Sequence, residues 1–444
     1  MNTPIADFID NYIKSDTSRL HMPGHKGIGE IEQFDITEIK GADSLYEADG
    51  IINKSEQNAT KIFETKRTYY STEGSSQCIK TMLCLAVSEF KRHFNSRPVI
   101  LAARNVHKAF VHAAALIDFD VEWIIPKSTN SLCSCIFTAK ELEIRLDELN
   151  EKPCAVYITS PDYLGNIANI KEISKVCKKY DIPLLVDNAH GAYLKFTGQH
   201  PIELGADMCC DSAHKTLSVL TGGAYLHIGN EVFDKNVKET LAVFGSTSPS
   251  YLIMRSLDLA NRYLSESFKQ DLDKITSKIS KLLVYIKRKG IENISQEPLK
   301  LTLCAENIGY SGFELNEVFR QNKIETEYAD EHFVVLMFST KNSDKDFERI
   351  KSAIDKLEKR TKLKKEILNL PQPKQVVSIR ESYFSPQEEV NFKDANGRIC
   401  GFTCVSCPPA IPIAISGELI TDEHIKLFKK YNINKIRVLE KAFD

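Results

Sequence analysis

The sequence lacks a strong charge of either sign, a long apolar run and an export signal. Its 58 lysines and arginines are nearly balanced by 60 aspartates and glutamates, which leaves a net charge of −2. This balance gives no electrostatic reason to expect nucleic acid or an anionic membrane as a partner. Apolar stretches such as residues 155–158 and 182–186 have the length of strands and are too short to span a bilayer. The N-terminus has no basic segment followed by an apolar one, so no secretory signal is expected.

The twelve cysteines lie mostly inside apolar runs, as Cys78, Cys154 and Cys209 do. Free cysteine behaves as a small buried hydrophobe, and free thiols persist in reducing compartments. A cytoplasmic location is therefore expected.

Short β-rich runs alternate with helical patterns between about residues 68 and 230. The predicted strands span residues 99–103, 121–125, 155–159, 182–187, 206–211 and 224–228. The predicted helices span residues 75–94, 108–117, 138–149 and 170–180. This alternation predicts an α/β fold with an open, mainly parallel sheet that binds ligands at the carboxyl ends of its strands.

The rest of the chain predicts a connecting helix and a smaller domain. Residues 249–290 are helical in pattern with few breakers. Strands near residues 300–303, 334–338 and 401–405, with helices at 313–322 and 344–359, predict a C-terminal α/β region.

Two residues that follow predicted strands carry the main chemical signal. Asp187 ends one strand, and Lys215 follows another within Ser212-Ala213-His214-Lys215. Both therefore belong at the same edge of the sheet. A lysine that bonds to an aldehyde and an aspartate that keeps a pyridine nitrogen protonated are what a pyridoxal-phosphate enzyme needs. The low-charge sequence after Lys215 would favour its neutral amine, since desolvation lowers an ammonium pKa.

The Gly74-Ser75-Ser76 segment precedes a predicted helix and suggests a phosphate site. Free backbone N–H groups at a helix N-terminus, together with two hydroxyls, bind phosphate well. By itself the segment is better explained as an ordinary helix cap, since serine is a favoured helix start. His107, after the strand at residues 99–103, could lie on a pyridine face, although an isolated histidine there more often caps a helix or packs in a core.

Five segments of the chain resemble successive motifs of the ornithine/lysine/arginine decarboxylase family. They are Leu20-His21-Met22-Pro23-Gly24-His25-Lys26-Gly27, residues 104–108, Thr159-Ser160-Pro161-Asp162-Tyr163-Leu164-Gly165, residues 186–191 and residues 212–216. The resemblance covers residues 18–230 and returns weakly at 408–412. It implies pyridoxal 5′-phosphate as cofactor, bound on an aspartate-aminotransferase-like (fold type I) large domain with a mainly parallel sheet of seven-stranded type.

Matched by position, the resemblance assigns roles to individual residues. It makes Lys215 the Schiff-base lysine and Asp187 the partner of the pyridine nitrogen. His107 becomes the ring-stacking residue, and His190 a group near the phenolic oxygen or the substrate carboxylate. The residues that it implies for the phosphate are Gly74, Ser75, Ser76, Ser212 and His214. No metal ligands are implied.

The basic motif around His21, His25 and Lys26 is expected at the active-site entrance or a dimer interface. The chain begins close to this motif, so a short form without the N-terminal wing domain is expected. The expected domains are an N-terminal segment (residues 1–60), a large cofactor-binding domain (61–255), a connecting helix (256–295) and a small C-terminal domain (296–444).

The chain departs from the family pattern at three places. Asn188 stands where many members have glutamate, which leaves the cofactor site intact. Gly222 and Gly223 stand where a glutamine is common, and Cys407-Pro408-Pro409-Ala410 lacks the usual aromatic residue and glycine. The last two bear on the substrate pocket, where Asp162 and Glu418 are candidates to meet a substrate cation.

Two interpretations are open for the cysteine triplet, which consists of Cys400, Cys404 and Cys407. Three cysteines so spaced can hold an iron–sulfur cluster for radical chemistry. Against this, the triplet lies on an alternating apolar strand, runs into two prolines and lacks barrel-like strand repeats nearby, so a structural or zinc role is favoured over a cluster.

The resemblance thus predicts a cytoplasmic homodimer that decarboxylates a basic amino acid, arginine or lysine before ornithine, for polyamine biosynthesis. Two alternatives stay open at this point. One is another pyridoxal-phosphate reaction, such as transamination or a lyase reaction, because the fold alone does not select the chemistry. The other is a non-catalytic relative, although the joint presence of Lys215, Asp187 and His107 argues against it.

Overall fold

The computed structural model describes residues 1–364, 367–402 and 410–440. Its helices are α1 (Pro4–Lys14), α2 (Ile51–Phe63), α3 (Ser75–His93), α4 (Lys108–Ile117), α5 (Ala139–Glu148), α6 (Ile170–Lys179), α7 (Ala213–Thr216), α8 (Val237–Val243), α9 (Tyr251–Glu266), α10 (Phe268–Arg288), α11 (Gly312–Gln321), α12 (Asp344–Asp355), α13 (Ile379–Phe384) and α14 (Asp422–Lys430). Its strands are β1 (Arg67–Ser71), β2 (Val99–Ala103), β3 (Asp120–Ile124), β4 (Ala155–Thr159), β5 (Leu184–Asp187), β6 (Met208–Asp211), β7 (Ala224–Ile228), β8 (Glu292–Asn293), β9 (Lys300–Cys304), β10 (Tyr328–Ala329), β11 (Val334–Met337), β12 (Gln387–Asn391), β13 (Cys400–Phe402) and β14 (Lys435–Leu439).

The chain divides into two compact units, each built from two segments. The first unit comprises Met1–Phe94 and Ile170–Lys274, and the second comprises Asn95–Asn169 and Ile275–Asp444. The domain boundaries expected from the sequence stay a prediction.

In the first unit the strands follow the order β1-β7-β6-β5. β5 and β6 are parallel, whereas β7 runs antiparallel to β6 and to β1. Every residue of β5, β6 and β7 is buried, which explains why the sequences of these strands are mostly apolar. The long helix α3 packs on β6 and β7. The carboxyl ends of β5 and β6 therefore meet at one edge, beside the start of α3.

The second unit contains three groups of strands. β4, β2 and β3 are parallel neighbours, while β10-β11-β9-β8 and β12-β14-β13 form antiparallel sheets. The chain therefore has the predicted α/β fold with a large, mainly parallel sheet and smaller additional sheets.

The predicted connecting helix differs from the structure in one respect. Two helices, α9 and α10, occupy this stretch, and Ser267 between them leaves the helical conformation with φ −136°. None of the helices in the described ranges is both long enough and apolar enough to cross a membrane.

Candidate active site

Asp187 and Lys215 lie at the same edge of the sheet in the first unit, as the sequence predicts. Asp187 is the last residue of β5 and pairs with Cys210 of the parallel strand β6. The chain leaves β6 at Asp211 and enters the one-turn helix α7, which carries Lys215. Parallel strands end at the same edge, so both side chains start from neighbouring strand ends.

The amine of Lys215 lies against the imidazole of His190. Its Nζ is 2.8 Å from His190 Nε2. His190 is only 4% exposed and sits in the tight turn after β5, which closes with a 2.8 Å hydrogen bond from Gly191 N to Asn188 O. The two nitrogens are thus within the distance at which a proton passes between them.

Asp187 is a buried carboxylate, only 3% exposed. Its Oδ1 accepts a 3.2 Å hydrogen bond from Ala189 N and lies 3.6 Å from Cys210 Sγ. A carboxylate in such a place favours a protonated ring nitrogen within hydrogen-bond reach, because a nearby negative charge stabilises the charged form.

The start of α3 faces the segment that carries Lys215. Ser212 Oγ donates a 2.9 Å hydrogen bond to Ser75 Oγ. Gly74, which precedes α3, has φ +69°. No side chain caps α3 at this described end, so the first N–H groups of the helix are available to a ligand. His214 Nδ1 lies 3.1 Å from Gly223 O, and Ser76 is partly exposed in the first turn of α3. This cradle of N–H groups and hydroxyls beside a lysine fits the phosphate of pyridoxal phosphate.

His107 lies in the second unit, at the N-terminus of α4. Its Nδ1 accepts a 3.2 Å hydrogen bond from Ala109 N, so it caps this helix. Capping was one of the three roles that the sequence allowed for it. Its stacking on a cofactor ring stays a prediction.

The N-terminal basic motif forms its own contacts within the first unit. His21 Nε2 bonds to Tyr12 OH at 2.7 Å, Lys26 Nζ donates to His21 O at 2.6 Å, and His25 Nε2 is 3.2 Å from Asp35 Oδ2. The role of this motif at an entrance or interface likewise stays a prediction.

Both acidic candidates for the substrate pocket have structural partners in the second unit. The Asp162 carboxylate accepts hydrogen bonds of 2.8–2.9 Å from Leu164 N, Asn166 N and Asn166 Nδ2, which close its own loop. Glu418 is fully buried and pairs with Arg104 at 2.9 Å. Burial raises the pKa of each carboxyl, and these partners only partly oppose it. Both candidates for the partner of a substrate cation thus already have partners within the protein.

Only one member of the cysteine triplet falls within the described residues. Cys400 is buried in β13, where its backbone bonds to Glu418 and Gly417. Cys404 and Cys407, like Pro408 and Pro409, lie outside the described residues.

Sequence reasoning missed a polar cluster directly behind the strand ends. Asp211 is fully buried and hydrogen bonded to His200, His227 and Asn188, which are also fully buried. The available signal was the presence of Asp211 and His227 in otherwise apolar strands, since a buried polar side chain needs a partner.

Comparison with known proteins identifies the family. Residues 3–296 match the model of the "Orn/Lys/Arg decarboxylase, major domain" family, so the chain belongs to this family. Membership places it among the pyridoxal-phosphate-dependent amino-acid decarboxylases and implies that cofactor.

Individual relatives agree with this assignment. An uncharacterized protein of Bacillus subtilis, YaaO, is 30% identical, and an arginine decarboxylase of the same organism is 28% identical; each alignment covers 96% of this chain and 93% of the relative. A lysine decarboxylase of Francisella novicida, LdcF, is 17% identical and shares the fold with a TM-score of 0.79, over 99% of this chain and 81% of its own.

Proposed function

We propose that this chain binds pyridoxal 5′-phosphate through Lys215 and decarboxylates a basic amino acid, with arginine or lysine favoured over ornithine. The observation that carries the proposal is the contact between the Lys215 amine and His190, next to the strand end of Asp187 and the start of α3. The substrate class is supported by the arginine decarboxylase of Bacillus subtilis, which aligns with nearly the whole chain.

The protein's own residues bind, orient and move protons in this proposal. When bound, the cofactor supplies an aldehyde and a ring that withdraws electrons from the bond to the leaving carboxylate. The N–H groups of α3, with Ser75 and Ser212, hold the phosphate, and Asp187 keeps the ring nitrogen protonated. Lys215 exchanges a proton with His190 and returns one to the carbon from which CO2 has left. His107 is proposed to cover one face of the ring, on the strength of the sequence resemblance alone.

The proposal includes a cytoplasmic homodimer with shared active sites and an amine product used in polyamine biosynthesis. Buried thiols such as Cys209 and Cys210 stay reduced in that compartment. A monomer in solution with full activity would contradict the dimer.

One assay tests the function. The purified protein, loaded with pyridoxal phosphate, is incubated separately with arginine, lysine, ornithine and a panel of neutral amino acids, while CO2 is trapped and the amine identified. We expect one basic amino acid to release CO2 and its amine, and Lys215→Ala to release neither. A keto-acid product would indicate transamination, and CO2 from a neutral amino acid alone would refute the basic substrate. No turnover of any substrate would favour a non-catalytic relative.

A further inference from the structure

Asp211 is a fully buried carboxylate that three side chains of the first unit hold in place. Asn188 Nδ2 donates to its Oδ1 at 2.6 Å, and the Nε2 atoms of His200 and His227 lie 3.1 Å and 3.2 Å from its Oδ2. His227 Nδ1 bonds in turn to Thr68 Oγ1 at 2.9 Å. All five side chains are inaccessible to solvent. We call Asp211, Asn188, His200 and His227 the Asp211 cluster.

The charges and tautomers of the cluster follow from its geometry. Burial tends to raise the pKa of Asp211, but His200 and His227 outweigh burial and bring it below the ordinary value. An ionised carboxylate only accepts, so both Nε2 atoms must carry protons. Burial lowers the pKa of His227, and a neutral His227 accepts the Thr68 hydroxyl at Nδ1. The cluster is thus one buried negative charge stabilised by three side-chain donors.

The cluster joins the two chain segments that carry the candidate catalytic groups. Asp211 directly precedes Ser212 and lies four residues before Lys215, while Asn188 directly follows Asp187. The backbone joins the same strand ends, since Asn188 N donates to Cys210 O at 3.0 Å. Asn188 contributes to the cluster as a hydrogen-bond donor, since its Oδ1 has no hydrogen-bond partner in the described residues. The amide–carboxylate bond therefore fixes the spacing of the two segments.

We propose that Asn188 and Asp211 are positioning residues, which hold the turn of Asp187 and His190 in register with the segment of Ser212 and Lys215. The proposal rests on the proposed function for its catalytic meaning. Its structural content does not, because the hydrogen bonds of the cluster join protein side chains only. Loss of the amide donor would leave one oxygen of a buried carboxylate without its hydrogen bond. The resulting loss of free energy would weaken the link between the two strand ends.

A matched pair of variants tests the structural part. Asn188→Ala removes the bridge. Asn261→Ala removes a different fully buried asparagine of the same unit, whose Nδ2 donates to Tyr70 OH at 2.6 Å and to Ser55 O at 3.1 Å. Hydrogen exchange of the cofactor-free proteins is measured by mass spectrometry. We expect Asn188→Ala to speed exchange at least tenfold at residues 184–191 and 208–216, and Asn261→Ala to act instead near residues 51–71. Equal protection of residues 208–216 in wild type and Asn188→Ala would overturn the proposal.

Cofactor affinity tests the catalytic part. We expect Asn188→Ala to raise the Kd for pyridoxal phosphate at least tenfold, relative to both wild type and Asn261→Ala. Equal Kd values would refute the positioning role, whereas a wild type that binds no pyridoxal phosphate would refute the proposed function and leave the exchange measurement to decide the cluster. If Asn188→Ala does not fold, Asn188→Ser, too short to bridge, replaces it. Stoichiometric zinc or another metal in the purified protein would also overturn the proposal, because His200, Cys209 and Asp211 would then be ligands.

Discussion

Replacement of Glu418 by alanine tests how strongly the second unit depends on its buried ion pair. Glu418 Oε2 accepts hydrogen bonds from Arg104 Nη2 at 2.9 Å and from Ile415 N at 2.7 Å. Glu418 is fully buried and the Arg104 side chain is 9% exposed. Arg104 also begins the segment that ends in His107, so the ion pair lies close in sequence to a predicted site residue.

The magnitude follows from the cost of an unpaired buried charge. Unit charges about 4 Å apart attract by about 4 kcal/mol at an effective dielectric constant near 20. Burial nevertheless leaves the pKa of Glu418 raised, so the intact pair contributes little net stability. Removing one partner is different, because it strands the Arg104 charge and costs about 3–5 kcal/mol. The Trp123 ring, 4.8 Å from Arg104 Cζ, stays beside the stranded charge, so we expect a loss at the low end of this range, about 3 kcal/mol.

The assay uses the only tryptophan in the sequence. Because Trp123 stacks on Arg104, the fluorescence of Trp123 during urea unfolding reports on the surroundings of the Arg104–Glu418 ion pair. Asp120→Ala is the control, since it breaks a salt bridge of similar length with Arg97 whose partners are about half exposed, and it should cost less than about 1 kcal/mol. A loss below about 1 kcal/mol in Glu418→Ala, or equal losses in both variants, would refute the reasoning.

Four further outcomes are expected. Borohydride reduction of the holoprotein should fix the cofactor to a peptide containing Lys215, and a label on another lysine would refute that assignment. Asp187→Ala should fold but lose turnover by about a thousandfold or more, equivalent to a transition-state loss of about 4 kcal/mol in steady-state kinetics. Burial raises the pKa of Asp258 to about 6, above that of the unfolded chain. Its contribution to stability is therefore full below pH about 4 and falls by up to about 3 kcal/mol as pH rises through about 6, and Asp258→Asn should flatten this dependence in thermal or urea unfolding. Anaerobic purification with iron and sulfide should give no cluster absorption from the cysteine triplet; a stoichiometric cluster would favour a radical mechanism.

The sequence predicted the central strands within two residues of their observed ends. Strands such as β4 and β7 were found because a buried parallel or central strand is a short, continuous apolar run between breakers. By contrast β1 was missed, since its sequence Arg-Thr-Tyr-Tyr-Ser is polar at both ends. The break between α9 and α10 at Ser267 was also missed, because the flanking residues keep a helical pattern across it.

The residues of the site differ in the same way: some can be predicted from the local sequence, and others depend on contacts between distant segments. Asp187 and Lys215 could be predicted because Asp187 ends its strand and Lys215 lies four residues beyond the end of the neighbouring strand, and parallel strands bring their ends together. The partners of a buried polar side chain carry no such local signal. Glu418 meets Arg104 more than three hundred residues away in sequence, and Asp211 meets donors from three separate segments. A polar residue at a buried position indicates that a hydrogen-bond partner is needed, but only the structure shows whether that partner is a ligand or another side chain. For Asp162 and Glu418 the fold supplies the partner, and the sequence reading of them as substrate contacts loses its support for that reason.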